Sequence, residues 1–457
     1  MSAEKQYIEL YNSQRPLIDA NAAPVLNACR ESAARVLAEV GLQKAKDQTH
    51  TDPSEMLAAD YAINLARHEV PTSREDLFTC AVPEMSTSVH FLVNEQYVGG
   101  KHRDNGYFAG SLREFATQYP DIASQYYNRL ASQPTDTGDP RSRRYEACSF
   151  GESALNTMLC QDGFVLYVPS GFEVSKPLQL ISLLRAVDDL MSVQRLLIII
   201  EDHATASLLV CEHASRLNDL SHLLSLQVTE IFVGNAATFD FYSLEEHHDL
   251  CQRLGQIYVH QKAASNVAIG LYALTAGQTR NRVHVCLAEP EASIQLYGMA
   301  TLDASQQVDN LTFIDHQAPS CQSNELFKYV LDQKSRGSFL GRILVRKGSD
   351  KTDAHQTDRN LCLTPDTRMI ARPELEIYAD DVKCSHGATV GQLDQNALFY
   401  MCTRGIPESE ARMLLMFAFM SDVIDGIRIE PLKDRLRHLI EKRFRGELTQ
   451  CKGCAVK

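Results

Sequence analysis

Between residues 147 and 385 the chain is a succession of short apolar and β-branched segments, among them GFVLYVPSG, QRLLIIIED, ASLLVCEH, GQIYVHQ and GSFLGRILVRKGSD, each broken by Gly, Asn, Asp or Pro. Their lengths fit strands. Helical patterns of ten or more residues are scarce between them, which argues against repeated strand-helix-strand units and so against a dinucleotide or P-loop fold. Two all-β architectures meet this texture. A sandwich strand with one wet face should alternate cleanly, whereas a solenoid needs short strands, frequent corners and an apolar inward face on every turn. No exact repeat is present and the spacing of comparable segments is loose, so the pattern alone leaves both open.

Helical patterns flank this region. Val25, Leu26, Cys29, Ala33, Val36, Leu37 and Val40 recur at helical spacing, and Gly41 offers a stop. Asp52-Pro53 predicts a helix start with Pro53 at the first helical position. ATQYPDIASQYYNRLASQP reads as a further helical stretch, and PTDTGDPRSRR as a linker or exposed loop. After residue 390, PESEARMLLMFAFMSDVIDGI carries Glu408 and Glu410 in its first turn, where the helix dipole favours them, and PLKDRLRHLIEKRF sets Leu432, Leu436, Leu439, Ile440 and Phe444 on one face. That crowded face needs a cover, either the β region or a partner protein. The resulting division is a helical domain over 1–85, a β core over 86–389 with a helical insertion or linker near 111–143, and a helical domain with a tail over 390–457.

Forty-five Lys and Arg against 58 Asp and Glu give a net charge of -13, which repels polyanions and makes nucleic acid an unexpected partner. The basic run RLRHLIEKRFRG fits a solvated helix face. The N-terminus lacks a secretory pattern, and apolar runs such as ARMLLMFAFM are too short to span a bilayer, so no membrane is expected and cytoplasmic residence is. Thirteen cysteines scattered through 457 residues fit reduced thiols better than a disulfide framework. Phosphate loops ending in Lys-Ser or Lys-Thr, GxSxG turns and HExxH helices are all missing, so the chain is not expected to be an enzyme.

The densest chemistry lies in DDVKCSHGATVG, residues 380–391. Cys384 and His386, two residues apart, could reach one metal ion from a strand or turn, and the imidazole could favour a thiolate. They supply half of a four-coordinate shell; the alternative is a buried thiol beside a satisfied imidazole. Asp380 and Asp381 are expected in the last turns of the β region, and Gly387 in a turn after the imidazole. Cys451 and Cys454 have the spacing of half a zinc site or a redox pair, or belong to an end without function. His247-His248, Cys211 with His213, and Cys321 read as structural or solvated groups.

The segment from VDNLTFIDHQAPSCQSNELFKYV through DDVKCSHGATVGQLDQNALFYMCTRGIPESEARMLLMFAF closely resembles the C-terminal half of the SufB/SufD family of iron-sulfur cluster assembly proteins. CSHGATVG looks like the SufD branch; SufB members typically carry CEHEAT there, and Ser385 and Gly387 replace those glutamates. Towards the N-terminus the resemblance rests on the helical beginning, TDPSEML and an altered PEMSTSVHFLVNEQYVGG, without any Trp. The resemblance implies a right-handed parallel β-helix between N-terminal and C-terminal helical domains. It also implies a noncatalytic subunit in a complex of SufB, SufD and two SufC, with SufC, an ABC-type ATPase, docking on the C-terminal helices and driving a shift of the SufB/SufD interface. The nascent iron-sulfur cluster is implied near that interface, with His386 as a ligand, Cys384 beside it and the remaining ligands from SufB. No cofactor is implied for the isolated chain; ATP belongs to SufC. Whether a flavin joins the complex, and whether the isolated chain forms homodimers, both stay open. A SufB-like scaffold that itself holds the cluster and a purely structural solenoid are the alternatives.

Overall fold

The computed structural model describes residues 2–42, 49–70, 72, 88–100, 106–132, 150–216 and 221–447. Helices α1 (Ala3–Ala20), α2 (Pro24–Val40) and the single turn α3 (Pro53–Met56) open it. Gly41 ends α2 at φ 68°, with its N–H on the Leu37 carbonyl, and Asp52 caps α3 by accepting from the N–H groups of Ser54 and Glu55. The hairpin β1 (Ser88–Val93) and β2 (Gln96–Gly100) follows, then β3 (Phe108–Ser111), α4 (Leu112–Gln118), α5 (Pro120–Tyr126) and α6 (Phe150–Leu159). Pro120 divides the expected single helical stretch in two, because a proline ring cannot continue the preceding turn. The expected loop PTDTGDPRSRR lies outside the described residues, as do Cys451 and Cys454.

From residue 164 the chain coils. One sheet holds β5 (Leu178–Ala186), β7 (Thr205–Arg216), β9 (Thr238–Glu246), β11 (Asn266–Thr275), β13 (Ser293–Leu302), β15 (Gln322–Leu331), β17 (Asp353–Cys362) and β19 (Lys383–Gly391). The other holds β4 (Phe164–Val168), β6 (Leu190–Ile200), β8 (Leu223–Val233), β10 (Cys251–Gln261), β12 (Gln278–Leu287), β14 (Gln307–His316), β16 (Arg336–Val345) and β18 (Arg368–Ile377). Every neighbouring pair among these is parallel, and each turn lends one strand to each sheet, so the β region is a parallel β-helix. Register partners Gln322, Asp353 and Lys383 lie 31 and 30 residues apart along the chain. This resolves the choice between sandwich and solenoid that the pattern left open.

One row of corners holds the turns in register. His203, Ala236, Ala264, Glu291, Ser320 and Lys351 all adopt left-handed φ between 50° and 63°. Each donates its N–H to a carbonyl in the next corner: Asn235, Ala263, Pro290, Pro319, Asp350 and Asp381. The left-handed conformation costs an L-residue roughly 1 kcal/mol, which the turn-to-turn bond offsets. Because none of these residues is glycine, the corners carry no compositional mark.

Except in the last turn, most strands of the two sheets are buried on both faces. Leu196, Ile198, Val210, Phe239, Ile269, Ile294, Phe327 and Ile343 fill the lumen. Outside, Val193, Leu197 and Ile199 of β6 pack under Leu26, Leu37 and Met158 of the N-terminal helices. Leu209, Leu244 and Tyr272 pack under α8 (Glu408–Asp425) and α9 (Glu430–Phe444), which bury Met420, Val423, Leu432, Leu436 and Ile440. The apolar face of the last helix is therefore covered by the chain's own sheet. A fully buried ion pair joins the N-terminal layer to the coil: Arg195 reaches Glu230 at 2.5 Å, and Glu230 also accepts the backbone N–H groups of Asn128, Leu130 and Ala131. Among the described residues no helix is long and apolar enough to cross a membrane.

Removing one partner of such a pair strands the other charge in a dry interior. Glu230→Ala is expected to lower the free energy of unfolding by about 3–5 kcal/mol, measured by denaturant titration. Acid should loosen the coil through His316, fully buried with its Nε2 2.9 Å from Ser323 Oγ and held by burial down to a pKa of about 4. Between the ordinary imidazole value and 4 the unfolded chain binds the proton that the folded chain refuses, so stability falls as pH falls through that window. The loss by pH 4 is on the order of 3 kcal/mol, and His316→Gln should flatten that part of the stability profile.

Candidate functional site

The last turn of the coil consists of β18, a corner at Asp380-Asp381 and β19. Asp381 closes the row of corners by accepting the Lys351 N–H at 2.6 Å, so the two aspartates belong to a structural turn. β19 pairs with β17 on one side, and among the described residues no strand pairs with it on the other. Parallel register places Cys384 over Ala354, His386 over Gln356, Ala388 over Asp358 and Val390 over Asn360. Ala354, Gln356, Asp358 and Asn360 are the buried, lumen-facing residues of β17, so Cys384 and His386 point along the same inward row. With no further turn above them, side chains that an inner turn would bury stand open: His386 is exposed, and Val390 is 52% exposed.

Cys384 is half-buried against the lumen core with Leu375, Ala379 and Val382. Burial pushes its thiol up, against a backbone hydrogen bond from Ala354 that pulls it down, and the Asp353 charge adds to the rise. The apolar lumen around the thiol and the nearby Asp353 carboxylate favour its protonated form. On the opposite face Ser385 Oγ lies 2.7 Å from His355 Nδ1, whose ring also meets Asp353 through Nε2 at 2.8 Å. Gly387 does not make a turn. It sits inside β19 at an ordinary φ, and a Cβ added to it would meet nothing within 4 Å.

Among the described residues no group of three or more His, Cys, Asp or Glu gathers as a metal cage. Cys384 and His386 thus form a pair on an open edge, and among the described residues no such group gathers around them. The other thiols and imidazoles singled out in the sequence have structural settings. His247 lies 3.0 Å from Glu245, His213 faces Glu246 at 3.7 Å, Cys211 accepts from Gln179, and Cys321 donates to the Glu289 carbonyl. Sequence reasoning missed what lies under the pair. Glu325 sits below Gln356 in register, and burial raises the carboxyls of Glu325 and Asp358 to about 7. Polar residues at alternate positions of DAHQTDRNLC resemble a wet face in the sequence, and only the coil turns them inward.

Leu393 is buried, and Asp394 caps α7 (Gln395–Thr403) by accepting from the N–H groups of Asn396 and Ala397, so the open strand runs into a helix within four residues. Phe399 and Tyr400 of that helix are 71% and 62% exposed, and Leu414 of α8 is also exposed.

The described chain is a parallel β-helix, helical at both ends, whose last turn is uncapped and bears a cysteine and a histidine. Residues 1–180 match the model of the SufBD protein N-terminal region, and residues 183–419 match the SufBD core domain of SUF system FeS cluster assembly. The chain belongs to the SufBD family. It is 26% identical over 431 residues to an iron-sulfur cluster assembly SufBD family protein of Synechocystis, covering 91% of this chain and 90% of that one. It is 30% identical over 237 residues to the iron-sulfur cluster assembly protein SufD of Escherichia coli, covering 52% and 56%, and 27% identical over 307 residues to SufD of Bacillus subtilis, covering 64% and 67%.

The two readings of Gly387 differ in what its substitution does. In the isolated chain Gly387→Ala should change unfolding stability by less than about 0.5 kcal/mol. Gly298→Ala, whose Cβ would collide with the Phe327 ring in the lumen, should cost about 1–3 kcal/mol in the same denaturant titration.

Proposed function

We propose that this chain is the SufD-type, noncatalytic subunit of a cytoplasmic iron-sulfur scaffold complex, pairing with a SufB subunit through its last turn and coupled to the SufC ATPase through its C-terminal helices. The observation that carries the reading is the uncapped edge of β19. An exposed strand edge is a template for another chain, and proteins leave one bare where a partner pairs with it. Exposed Ile377, Tyr378 and Val390 beside that edge support the same conclusion. Cys384 and His386 would then stand at the subunit boundary, where SufB completes their ligand shell around iron and sulfide, the cargo of the complex. Neutral imidazole nitrogen and sulfur suit iron, and two ligands from each side meet its coordination number.

The connection between β19 and α7 supports mechanical coupling. Phe399, Tyr400 and Leu414 offer SufC an apolar surface, and a pull on α7 reaches the edge strand through Leu393 and the Asp394 cap. Nucleotide binding can drive such a shift only by favouring one of two arrangements of the interface.

Anaerobic coexpression with SufB and SufC tests this directly. The chain should purify with both, and His386→Ala should lower iron and acid-labile sulfide severalfold at unchanged subunit stoichiometry. A chain that elutes alone under reducing conditions sinks the assignment as a subunit. Full loading in the His386→Ala complex removes His386 from the site.

A further inference from the structure

The helices after residue 390 are fixed to the coil unevenly. Lys328 of β15, 3% exposed, donates from Nζ to the Phe419 carbonyl at 2.6 Å, meets Asp422 at 2.5 Å and lies 4.5 Å from the Phe419 ring centroid. Arg428, between α8 and α9, donates its N–H to Tyr242 Oη at 2.9 Å, and its guanidinium donates to Asp240 at 3.0 Å and Asn266 at 2.7 Å. Arg443, in the last turn of α9, reaches Asp303 at 2.8 Å and Gln306 at 3.2 Å. These cations tie residues 419–443 to β9, β11, β15 and the corner after β13, and hydrogen bonds from charged groups are the strong ones. Gly426 brings the same segment so close to β13 that an added Cβ would stand 2.5 Å from the Tyr297 ring.

α7 has no such tie. Its polar contacts stay within residues 393–404: Asp394 caps the first turn, Gln395 donates to the Leu393 carbonyl, Thr403 donates to the Tyr400 carbonyl, and the Arg404 guanidinium lies over Tyr400. Among the described residues no hydrogen bond or ion pair joins 395–404 to the coil, to α8 or to α9. Leu398 is the one buried side chain of the helix. A helix this short is not stable alone in water, so α7 keeps its place through that leucine and through its two ends. One end is Leu393, buried just beyond β19 in a cluster with Leu361 and Met416. The other is Gly405, at φ 88° with nothing within 4 Å of where a Cβ would stand, so its backbone is free to turn.

We propose that α7 is a lever that lifts from α8 about Gly405 and bears on β19, while Lys328, Arg428 and Arg443 keep residues 419–443 clamped to the coil. Displacement passes to the element that is held least. With α8 and α9 pinned, that element is β19, which only Gln392, Leu393 and Asp394 separate from α7 and which among the described residues pairs along one edge. Lifting loads the bonds from the Ser385, Gly387 and Thr389 N–H groups, which alternation from the Lys383 N–H on Thr352 directs at β17. That SufC lifts α7, through exposed Phe399 and Tyr400, rests on the function proposed above; the lever itself does not.

Amide hydrogen exchange, read by mass spectrometry on the purified full-length chain, tests the lever. Leu398→Ala removes the contact that holds α7 down, so exchange should rise at least tenfold in 395–404 and in 384–390 and stay unchanged over 419–443, with far-ultraviolet circular dichroism confirming the fold. A rise confined to α7, a rise that spreads through 419–443, or no rise at all overturns the lever. Lys328→Met keeps most of the side-chain volume and leaves Asp422, half-exposed, in contact with water. Combined with Leu398→Ala it should extend the faster exchange into 419–425, and a double variant that matches Leu398→Ala overturns the clamp. In the complex with SufB and SufC, a non-hydrolysable ATP analogue should reproduce the Leu398→Ala pattern. A change over 419–443 as large as that over 395–404 overturns the division into lever and clamp. Failure of SufC to join the complex sinks the subunit assignment above, and the free chain still decides the lever.

Discussion

Turn-to-turn backbone hydrogen bonding is the constraint on which the rest of the molecule depends. In a parallel coil each strand satisfies its N–H and C=O groups only through the turn before and the turn after it. The row of left-handed corners, from His203 to Lys351, repeats that dependence outside the strands. The two ends of the coil meet the constraint differently. At the N-terminal end the sheets finish in antiparallel strands, β2 and β3, and helices follow. At the C-terminal end nothing reverses, and β19 is left with an unpaired edge. A repeating structure has to stop somewhere, and among the described residues this one stops at an unpaired edge.

The helical layers follow from the same geometry. Strands of a two-sheet coil have an inner face in the lumen and an outer face, and where the outer face is apolar the coil needs cover. The N-terminal helices take the flank of β6 and β8, and α8 and α9 take the flank of β9, β11 and β13. Polar groups trapped between layers are matched in detail, as with Glu230, which meets one guanidinium and three backbone N–H groups. Glu325 and Asp358, their carboxyls raised by burial, lie towards the end where the coil is open.

Much of the fold was legible, for identifiable reasons. Strand lengths, the Gly41 stop, the Asp52 cap and the acidic start of α8 are local features, and local features are what a sequence displays. The architecture was ambiguous because strands buried on both faces lose the alternation that would distinguish a sandwich from a coil, and because corners made from His, Ala, Glu, Ser and Lys show no period. Family resemblance supplied the coil before the structure did. In the site, Cys384 and His386 were visible since two residues along a strand share a face. Gly387 was misread because glycine suggests a turn wherever it stands, whereas its backbone here is ordinary strand. Glu325, Gln356 and Asp358 escaped notice since they lie on other turns, with residues 325, 356 and 386 stacked in space.

The amino-acid sequence by itself determined the inventory: short strands in the middle, helices at both ends, no nucleotide loop, and a thiol and an imidazole at alternate positions of the last strand. Each of these depends on neighbours within a few residues, where backbone geometry and side-chain order are directly coupled. Which residues share a turn, which carboxylates lack a counter-charge, and where the edge remains unpaired were decided only by the tertiary structure. Those relations join residues about thirty apart, and they exist only after the chain has coiled and every turn has found its hydrogen bonds in the next.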